Sequence, residues 1–252
     1  MALRPAEHLL IELGISDPKE IDLDAIAWHL GAAVRYKHMG SADATIVGSD
    51  RHAVIAVNSS RIATRQRFSL AHEIGHWRHH RGQMLFCTPR DIGDPSRTAM
   101  DPERQADAFA SDLILPPYLL RSRIAKVRRL DLASARAIAE EFNTSLTATL
   151  LKIVDQNAFP LIVVCHSVKG RRWFRRSSIV PGWWFPQQDL DAQSYAFDML
   201  HAGTSEQSPR KIGAGAWFDL NNADRFEIQE QSFALPNSEI LTILTIPPEG
   251  LD

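Results

Sequence analysis

Residues 67–80 read Arg-Phe-Ser-Leu-Ala-His-Glu-Ile-Gly-His-Trp-Arg-His-His, and the five residues from His72 to His76 decide the interpretation of the chain. The spacing of apolar residues predicts a helix from about residue 62 to residue 80. Side chains four residues apart lie on one helix face, about 6 Å apart along the axis. His72 and His76 can therefore bind one metal ion, while Glu73 can reach a water molecule at that ion without being a ligand.

A catalytic zinc ion normally has three protein ligands and one open position, so a third ligand must come from elsewhere. His80 lies eight residues beyond His72, or about 12 Å along a helix, and one ion cannot bind both from a straight helix. We therefore expect His80 to line the pocket or to lie at the surface.

Glu103 is a better candidate for the third ligand, because it opens the next predicted helix. Asp101-Pro102 has the features of a helix start, an acidic N-cap followed by proline. Asp107 follows Glu103 by one turn, so one carboxylate can bind the metal while the other accepts the free ring N–H of a ligand histidine. From the residues alone, the alternatives to Glu103 are Asp94, Asp101 and Asp107.

These two segments together resemble the ImmA/IrrE metallopeptidases. That family has an Arg-Phe-x-x-Ala-His-Glu-x-x-His helix followed by Glu-x-x-Ala-Asn/Asp-x-Phe-Ala-x-x-Leu-Leu-x-Pro. The positions that match are Arg67, Phe68, Ala71, His72, Glu73, Gly75 and His76, then Glu103, Ala106, Asp107, Phe109, Ala110, Leu113 and Pro116. The resemblance covers residues 20–120 and implies that Glu103 is the third ligand of a zinc ion, with manganese or another divalent metal as an alternative.

The expected activity is that of a metallo-endopeptidase. A bound zinc ion would polarise the scissile carbonyl and lower the pKa of water toward about 7. Glu73 would act as the catalytic base and then deliver the proton to the leaving amine. The sequence does not choose among four candidates for stabilising the oxyanion, which are Tyr118, His79, His80 and Arg67.

The predicted fold class is α+β, in three parts. The resemblance implies a zincin-like peptidase domain over residues 1–130, with helices and a small antiparallel sheet that includes a hairpin at residues 44–58. Residues 131–156 are expected to form a helix-turn-helix-like segment around Asn143-Thr144. Residues 157–252 are similar in outline to a GAF-like sensor domain. Its expected elements are strands at 159–167 and 171–180, a helix at 191–203, and strands at 214–220, 225–235 and 238–246.

The composition excludes several other classes of protein. A net charge of -2, with 44% hydrophobic and 23% charged residues, is typical of a globular protein with no general attraction to nucleic acid or anionic membranes. No apolar run approaches the roughly 18 residues of a membrane span, and the N-terminus does not resemble a signal peptide. Cys87 and Cys165 match no paired spacing. We therefore expect no membrane contact and a cytoplasmic location.

The expected partner is a protein substrate. By resemblance, it is a repressor with a helix-turn-helix, whose cleavage derepresses stress-response or mobile-element genes. Direct DNA binding is expected to be weak or absent, because Lys152 is the only cation in the second helix of residues 131–156. The alternatives are a DNA-binding regulator or antirepressor that acts by binding, and a partner in a toxin–antitoxin pair. Glu73 favours catalysis, since a structural metal site needs no base.

Overall fold

The computed structural model describes residues 3–49, 51–79, 101–203, 208–221 and 223–251. Contacts between residues divide the chain into two compact units. The N-terminal unit comprises residues 1–123 and 138–145, and the C-terminal unit comprises residues 124–137 and 146–252. Both contain helices and a sheet, as the α+β prediction requires. The predicted boundaries at residues 130 and 156 stay predictions, because contacts alone do not show which segments fold independently.

The N-terminal unit begins with two short helices, α1 (Pro5–Glu12) and α2 (Leu23–His29). The carboxylate of Asp22 accepts a hydrogen bond from the backbone N–H of Ala25 at 3.0 Å and so caps α2. One face of α2 is apolar and buried. Its buried residues are Leu23, Ile26 and Ala27.

A three-stranded sheet follows, with β1 (Ala32–Lys37), β2 (Ala44–Gly48) and β3 (Ala53–Asn58) in the order β1-β3-β2. The predicted hairpin of β2 and β3 is confirmed. The prediction of an antiparallel sheet is wrong for β1, which runs parallel to β3. After β1, at one edge of the sheet, the chain crosses to the opposite edge and forms β2. The hairpin then places β3 between β1 and β2. The Asn58 side-chain amide holds this crossing by donating to the carbonyls of Met39 and Ala42.

Three further helices follow in the chain: α3 (Ala63–His79), α4 (Pro102–Ile114) and α5 (Pro117–Ile124). α3 packs against β2, β3 and α4, and its residues from Ser69 to Trp77 are all buried. The predicted start of α4 is confirmed, since the Asp101 carboxylate accepts from the Glu103 backbone N–H at 2.9 Å. Within the described ranges, no helix combines the length and apolar character needed to cross a membrane.

The predicted pair of helices around Asn143-Thr144 is also confirmed, as α6 (Leu132–Phe142) and α7 (Leu146–Asp155). Asn143 has a φ of 50°, in the left-handed region that asparagine tolerates better than most residues. The backbone N–H of Thr144 donates to the carbonyl of Ala139 at 2.9 Å and closes α6.

The C-terminal unit contains a five-stranded sheet, antiparallel throughout, in the order β5-β4-β8-β7-β6. Its strands are β4 (Leu161–Ser167), β5 (Gly170–Arg176), β6 (Arg210–Gly213), β7 (Glu227–Leu235) and β8 (Glu239–Thr245). The predicted helix is α8 (Tyr195–Ala202), which packs on β7 and β8. α7 contacts β4 and β5. A GAF-like identity for residues 157–252 remains a proposal.

Large aromatic side chains join aliphatic ones in the core of this unit. Trp184 and Trp217 are buried, and the indole N–H of Trp184 donates to the carbonyl of Gly250 at 2.7 Å. The neighbours of Trp184 in the sequence, Trp183 and Phe185, are each 54% exposed. The aromatic run at residues 183–185 is therefore part core and part surface.

The strand predicted at residues 214–220 is wrong. Residues 214–216 form a 3₁₀ turn instead, because the N–H groups of Trp217 and Phe218 both donate to the Ala214 carbonyl at 3.0 Å. The indole N–H of Trp217 donates to the buried carboxylate of Glu230 at 2.9 Å. Burial of this anchored ring determines the local backbone more than strand propensity does.

Candidate metal centre

Two imidazoles and one carboxylate converge inside the N-terminal unit. His72 and His76 project from α3, and their Nε2 atoms lie 2.9 Å apart. Glu103 projects from the first turn of α4, with its carboxylate oxygens 3.2 Å from His72 Nε2 and 3.4 Å from His76 Nε2. All three side chains are buried, and they form a group that could hold a metal ion. The structure thus brings together the three residues predicted as ligands.

The close approach of α3 and α4 makes this convergence possible. A Cβ atom placed on Gly75 would lie 3.0 Å from Ala106 Cα and 3.1 Å from the Ala106 carbonyl oxygen. Such distances are shorter than ordinary van der Waals contacts, so only glycine fits without a shift of the helices. Gly75 lies between the two histidines, and Ala106 lies three residues after Glu103. Both residues belong to the matched motifs, but their spacing alone does not reveal this contact.

The donor atoms suit a divalent ion. Ligand bonds of 2.0–2.1 Å around a tetrahedral ion separate the ligand atoms by about 3.3 Å. The two distances to Glu103, 3.2 and 3.4 Å, are close to this value, and the two histidine nitrogens lie closer together, at 2.9 Å. His72 Nδ1 lies 2.9 Å from a carboxylate oxygen of Asp107. In a neutral ring, donation from Nδ1 to Asp107 leaves the lone pair on Nε2 directed at the centre of the group. A cation at that point would balance the three converging acceptors.

Without a metal ion, the close packing of His72 and Glu103 shifts the pKa values of both side chains. Burial lowers the pKa of His72, but hydrogen bonds to Asp107 and Glu103 outweigh this effect and raise it to about 9. Burial raises the pKa of Glu103, yet hydrogen bonds from His72 and His76 hold it well below its ordinary value. The Glu103 carboxylate is therefore ionised, and the His72 ring is readily protonated. A bound metal cation would take the place of this proton and would supply the positive charge that balances the carboxylate.

Glu73 lies beside this group without belonging to it. Its side chain is 1% exposed, and its Oε2 atom has no hydrogen-bond partner within the described part of the chain. Burial raises the pKa of Glu73 to about 7, the charge of His72 opposes the rise, and the charge of Glu103 adds to it. A carboxylate with a pKa near neutral and a free oxygen has the properties of a general base.

The other candidate residues have different surroundings. The hydroxyl of Tyr118 donates to the Ile15 carbonyl at 2.7 Å, and the Nη2 of Arg67 donates to the Ile21 carbonyl at 3.1 Å. The ring of His79 lies against Phe109, with 5.2 Å between ring centroids. His80, and Asp94 among the alternative ligands, lie outside the described residues. No residue is assigned to the oxyanion on this basis.

Comparison with known proteins places this site in a family. Residues 27–153 match the model of the M78 peptidases, described as the IrrE N-terminal-like domain, over half of the chain. The chain belongs to the M78 peptidase family. This membership confirms the resemblance to ImmA/IrrE proteins, and the matched range of the M78 domain includes α3, α4 and all four residues discussed above.

A solved structure shares the fold of this M78 family member. It is a transcriptional regulator from Mycobacterium tuberculosis, 11% identical in sequence, with a TM-score of 0.61. The similarity covers 96% of this chain and 74% of the regulator. At this identity the likeness shows the fold alone. Among curated proteins, no significantly similar sequence was found.

Proposed function

We propose that this M78 family member is a zinc-dependent endopeptidase, with His72, His76 and Glu103 as metal ligands and Glu73 as catalytic base. One observation carries the proposal. Within the part of the chain that the structure describes, a buried carboxylate oxygen of Glu73 lacks a hydrogen-bond partner beside three side chains that could hold a metal. A purely structural metal site would gain nothing from an unpaired buried carboxylate, which is costly to keep.

The chemistry follows from the positions of these side chains. His72, His76 and Glu103 would hold a divalent ion, which when bound would supply a Lewis acid for the scissile carbonyl and for water. Glu73 accepts a proton from the attacking water and delivers it to the leaving amine, a role that suits its own pKa of about 7. Asp107 acts as a positioning residue, because its hydrogen bond fixes the tautomer and orientation of the His72 ring.

The substrate that we propose is a helix-turn-helix transcriptional repressor, on the basis of the resemblance to ImmA/IrrE proteins. Its cleavage in the cytoplasm would derepress stress-response or mobile-element genes. We further propose that residues 157–252 form a GAF-like sensor domain. Support comes from its antiparallel sheet with α8 packed on β7 and β8, which is a framework independent of the metal site.

A second candidate function is DNA-binding regulation without cleavage, since the structural neighbour from Mycobacterium tuberculosis is called a transcriptional regulator. The surface of α7 argues against it. A helix that reads a DNA groove needs an exposed face with several donors. In α7, by contrast, only Asp155 is classed as exposed, and Lys152, its one cation, is 6% exposed. We therefore favour cleavage over DNA binding.

The test is incubation of the zinc-loaded protein with helix-turn-helix repressors from the same genome, beginning with any that is encoded near its gene. The wild type should cut one of these repressors, and Glu73→Gln should bind zinc but lose about 10²–10⁴ in rate, the usual cost of removing a general base. Elemental analysis of both proteins provides the control for metal content. Equal cleavage by Glu73→Gln, or none by the wild type with these substrates, would contradict the proposal.

A further inference from the structure

Two adjacent side chains of the C-terminal unit, one buried and one half-buried, have buried nitrogen atoms without a hydrogen-bond partner among the described residues. His166 on β4 is 1% exposed, and neither ring nitrogen forms a hydrogen bond within the described residues. Its register partner on β5 is Arg171, whose Nη1 atom is also buried and has no partner in the same part of the chain. Buried polar groups are nearly always hydrogen-bonded, so two neighbouring exceptions call for a specific explanation.

The chemistry of this pair suits an anionic group. Burial lowers the pKa of His166 to about 4 and the positive charge of Arg171 adds to this shift, whereas a contact with the Gln187 backbone opposes it without reaching the geometry of a hydrogen bond. The neutral ring offers one N–H donor, and the guanidinium offers a planar fork of donors that matches a carboxylate or phosphate. Asp189 also bears on His166 through its charge, but it is exposed and therefore screened by solvent.

Aromatic rings surround the two side chains. The guanidinium of Arg171 lies over Phe174 and Phe185, at 5.2 and 4.5 Å from their ring centroids. Trp217 contacts His166 edge to face, with 5.6 Å between centroids. Stacking on the guanidinium faces leaves its edge N–H groups free to donate. Phe185 is half exposed, so part of its ring is open to solvent.

We propose that His166 and Arg171 bind the carboxylate or phosphate of a small molecule, whose flat apolar part packs against Phe185. The fork of Arg171 would pair with two oxygens of the anion, and the ring N–H of His166 would donate to one of them. The aromatic wall would exclude water from these hydrogen bonds and strengthen them. The proposal depends on residues of the C-terminal unit alone, so it stands or falls separately from the peptidase activity.

Isothermal titration of the full-length protein with three probes tests this inference. Benzoate and phenyl phosphate carry a charged group on the same ring, and benzamide is the neutral counterpart. We expect saturable binding of at least one anion, and the comparison of the two identifies carboxylate or phosphate as the preferred group. Benzamide should bind at least about tenfold more weakly, because it lacks the charge-assisted hydrogen bonds.

Substitutions locate the site. Arg171→Gln and His166→Phe should each weaken binding of the preferred anion by at least about tenfold. Arg172→Gln is the matched control, since this neighbouring side chain is 58% exposed and lies near Glu239 instead, at 3.5 Å. Thermal unfolding shows whether each variant folds. If Arg171→Gln does not, Arg171→Lys keeps the charge but loses the fork and should show the same loss.

Three results would overturn the proposal. Failure of both anions to bind would mean that only water occupies this place. Equal binding of benzoate and benzamide would indicate an apolar pocket without anion recognition. Unchanged affinity in Arg171→Gln or Arg171→Lys, in a folded protein, would place the anion elsewhere. Cleavage of the repressor is not measured in any of these titrations.

Discussion

Gly75→Ala should disrupt the metal centre without unfolding the protein. The new Cβ would lie 3.0 Å from Ala106 Cα and 3.1 Å from the Ala106 carbonyl oxygen. Since these contacts are tighter than ordinary ones, α4 must move away by a few tenths of an ångström. Both contact atoms belong to the backbone, so rotation of a side chain cannot relieve the clash.

The expected change in stability is small, because two effects oppose each other. Overpacking a well-packed contact costs about 1–3 kcal/mol, and alanine is favoured over glycine inside a helix by about 1 kcal/mol. The free energy of unfolding of the metal-free protein should therefore fall by roughly 0–2 kcal/mol.

The effect on metal binding should be larger. Glu103 is on α4, and its carboxylate oxygens lie 3.2 and 3.4 Å from the Nε2 atoms of His72 and His76. If α4 moves, Glu103 moves away from the two histidines. A metal site tolerates deviations of only about 0.2 Å in its metal–ligand distances. We expect zinc affinity to fall by roughly 10–100-fold, the range seen when groups that orient ligands are changed.

Competition with a chromophoric chelator measures zinc affinity, and urea unfolding measures the stability of the metal-free protein. Gly40→Ala is the matched control, since its added Cβ meets nothing within 4 Å; this variant should keep wild-type affinity. The double variant Gly75→Ala/Ala106→Gly should regain little zinc affinity. The atoms closest to the new Cβ are the Cα and carbonyl oxygen of residue 106, and both remain in this variant. Wild-type zinc affinity in Gly75→Ala would refute the argument that this contact positions Glu103.

Three further predictions concern single groups. Asp107→Asn should weaken zinc binding by roughly 10–100-fold in the same chelator assay, because the amide is a poorer acceptor for the His72 ring; an unchanged affinity would leave Asp107 without a positioning role. Zinc affinity should rise with pH up to about pH 9 and fall on acidification, since the raised pKa of His72 makes the proton a competitor of the metal; affinity independent of pH between 6 and 9 would contradict this reasoning. Fluorescence anisotropy should show weak binding to duplex DNA, with a Kd near or above roughly 10⁻⁴–10⁻⁶ M at physiological salt, and a tight complex that Lys152→Ala abolishes would restore the regulator hypothesis.

Local patterns were sufficient to predict the elements that carry the metal centre. The apolar period around His72 and His76, together with the Asp101-Pro102 start, placed α3 and α4 within one or two residues of their observed bounds. The two histidines meet because a helix places residues four apart on one face. These features depend on short stretches of chain, which is why periodicity and capping residues reveal them.

Features that depend on distant contacts were not predictable in this way. Glu103 meets His72 across 31 residues, and periodicity left Asp94, Asp101 and Asp107 as alternatives until the resemblance was considered. The contact of Gly75 with Ala106, which draws the two helices together, has no local signature. The same holds for the turn at residues 214–216, where the hydrogen bond of Trp217 to Glu230 overrides the strand pattern.

The buried pair of His166 and Arg171 shows a further limit. In the sequence, residues 171–176 mix arginines with aromatic residues, as nucleic-acid binders and half-exposed strands both do. Only the register of β4 and β5 shows that Arg171 lies opposite a buried histidine. No spacing rule links the two residues, because the offset between strands depends on the irregularity between Cys165 and His166.

Metal content across a set of variants is the most direct test of the central claim, that three side chains hold a divalent ion beside a catalytic base. Each protein is purified in zinc and analysed for bound metal after removal of free ions. We expect one zinc ion per chain in the wild type and in Glu73→Gln, and a sharp loss in His72→Ala, His76→Ala and Glu103→Ala. Stoichiometric zinc in Glu103→Ala, or loss of zinc in Glu73→Gln, would contradict the assignment of ligands and base.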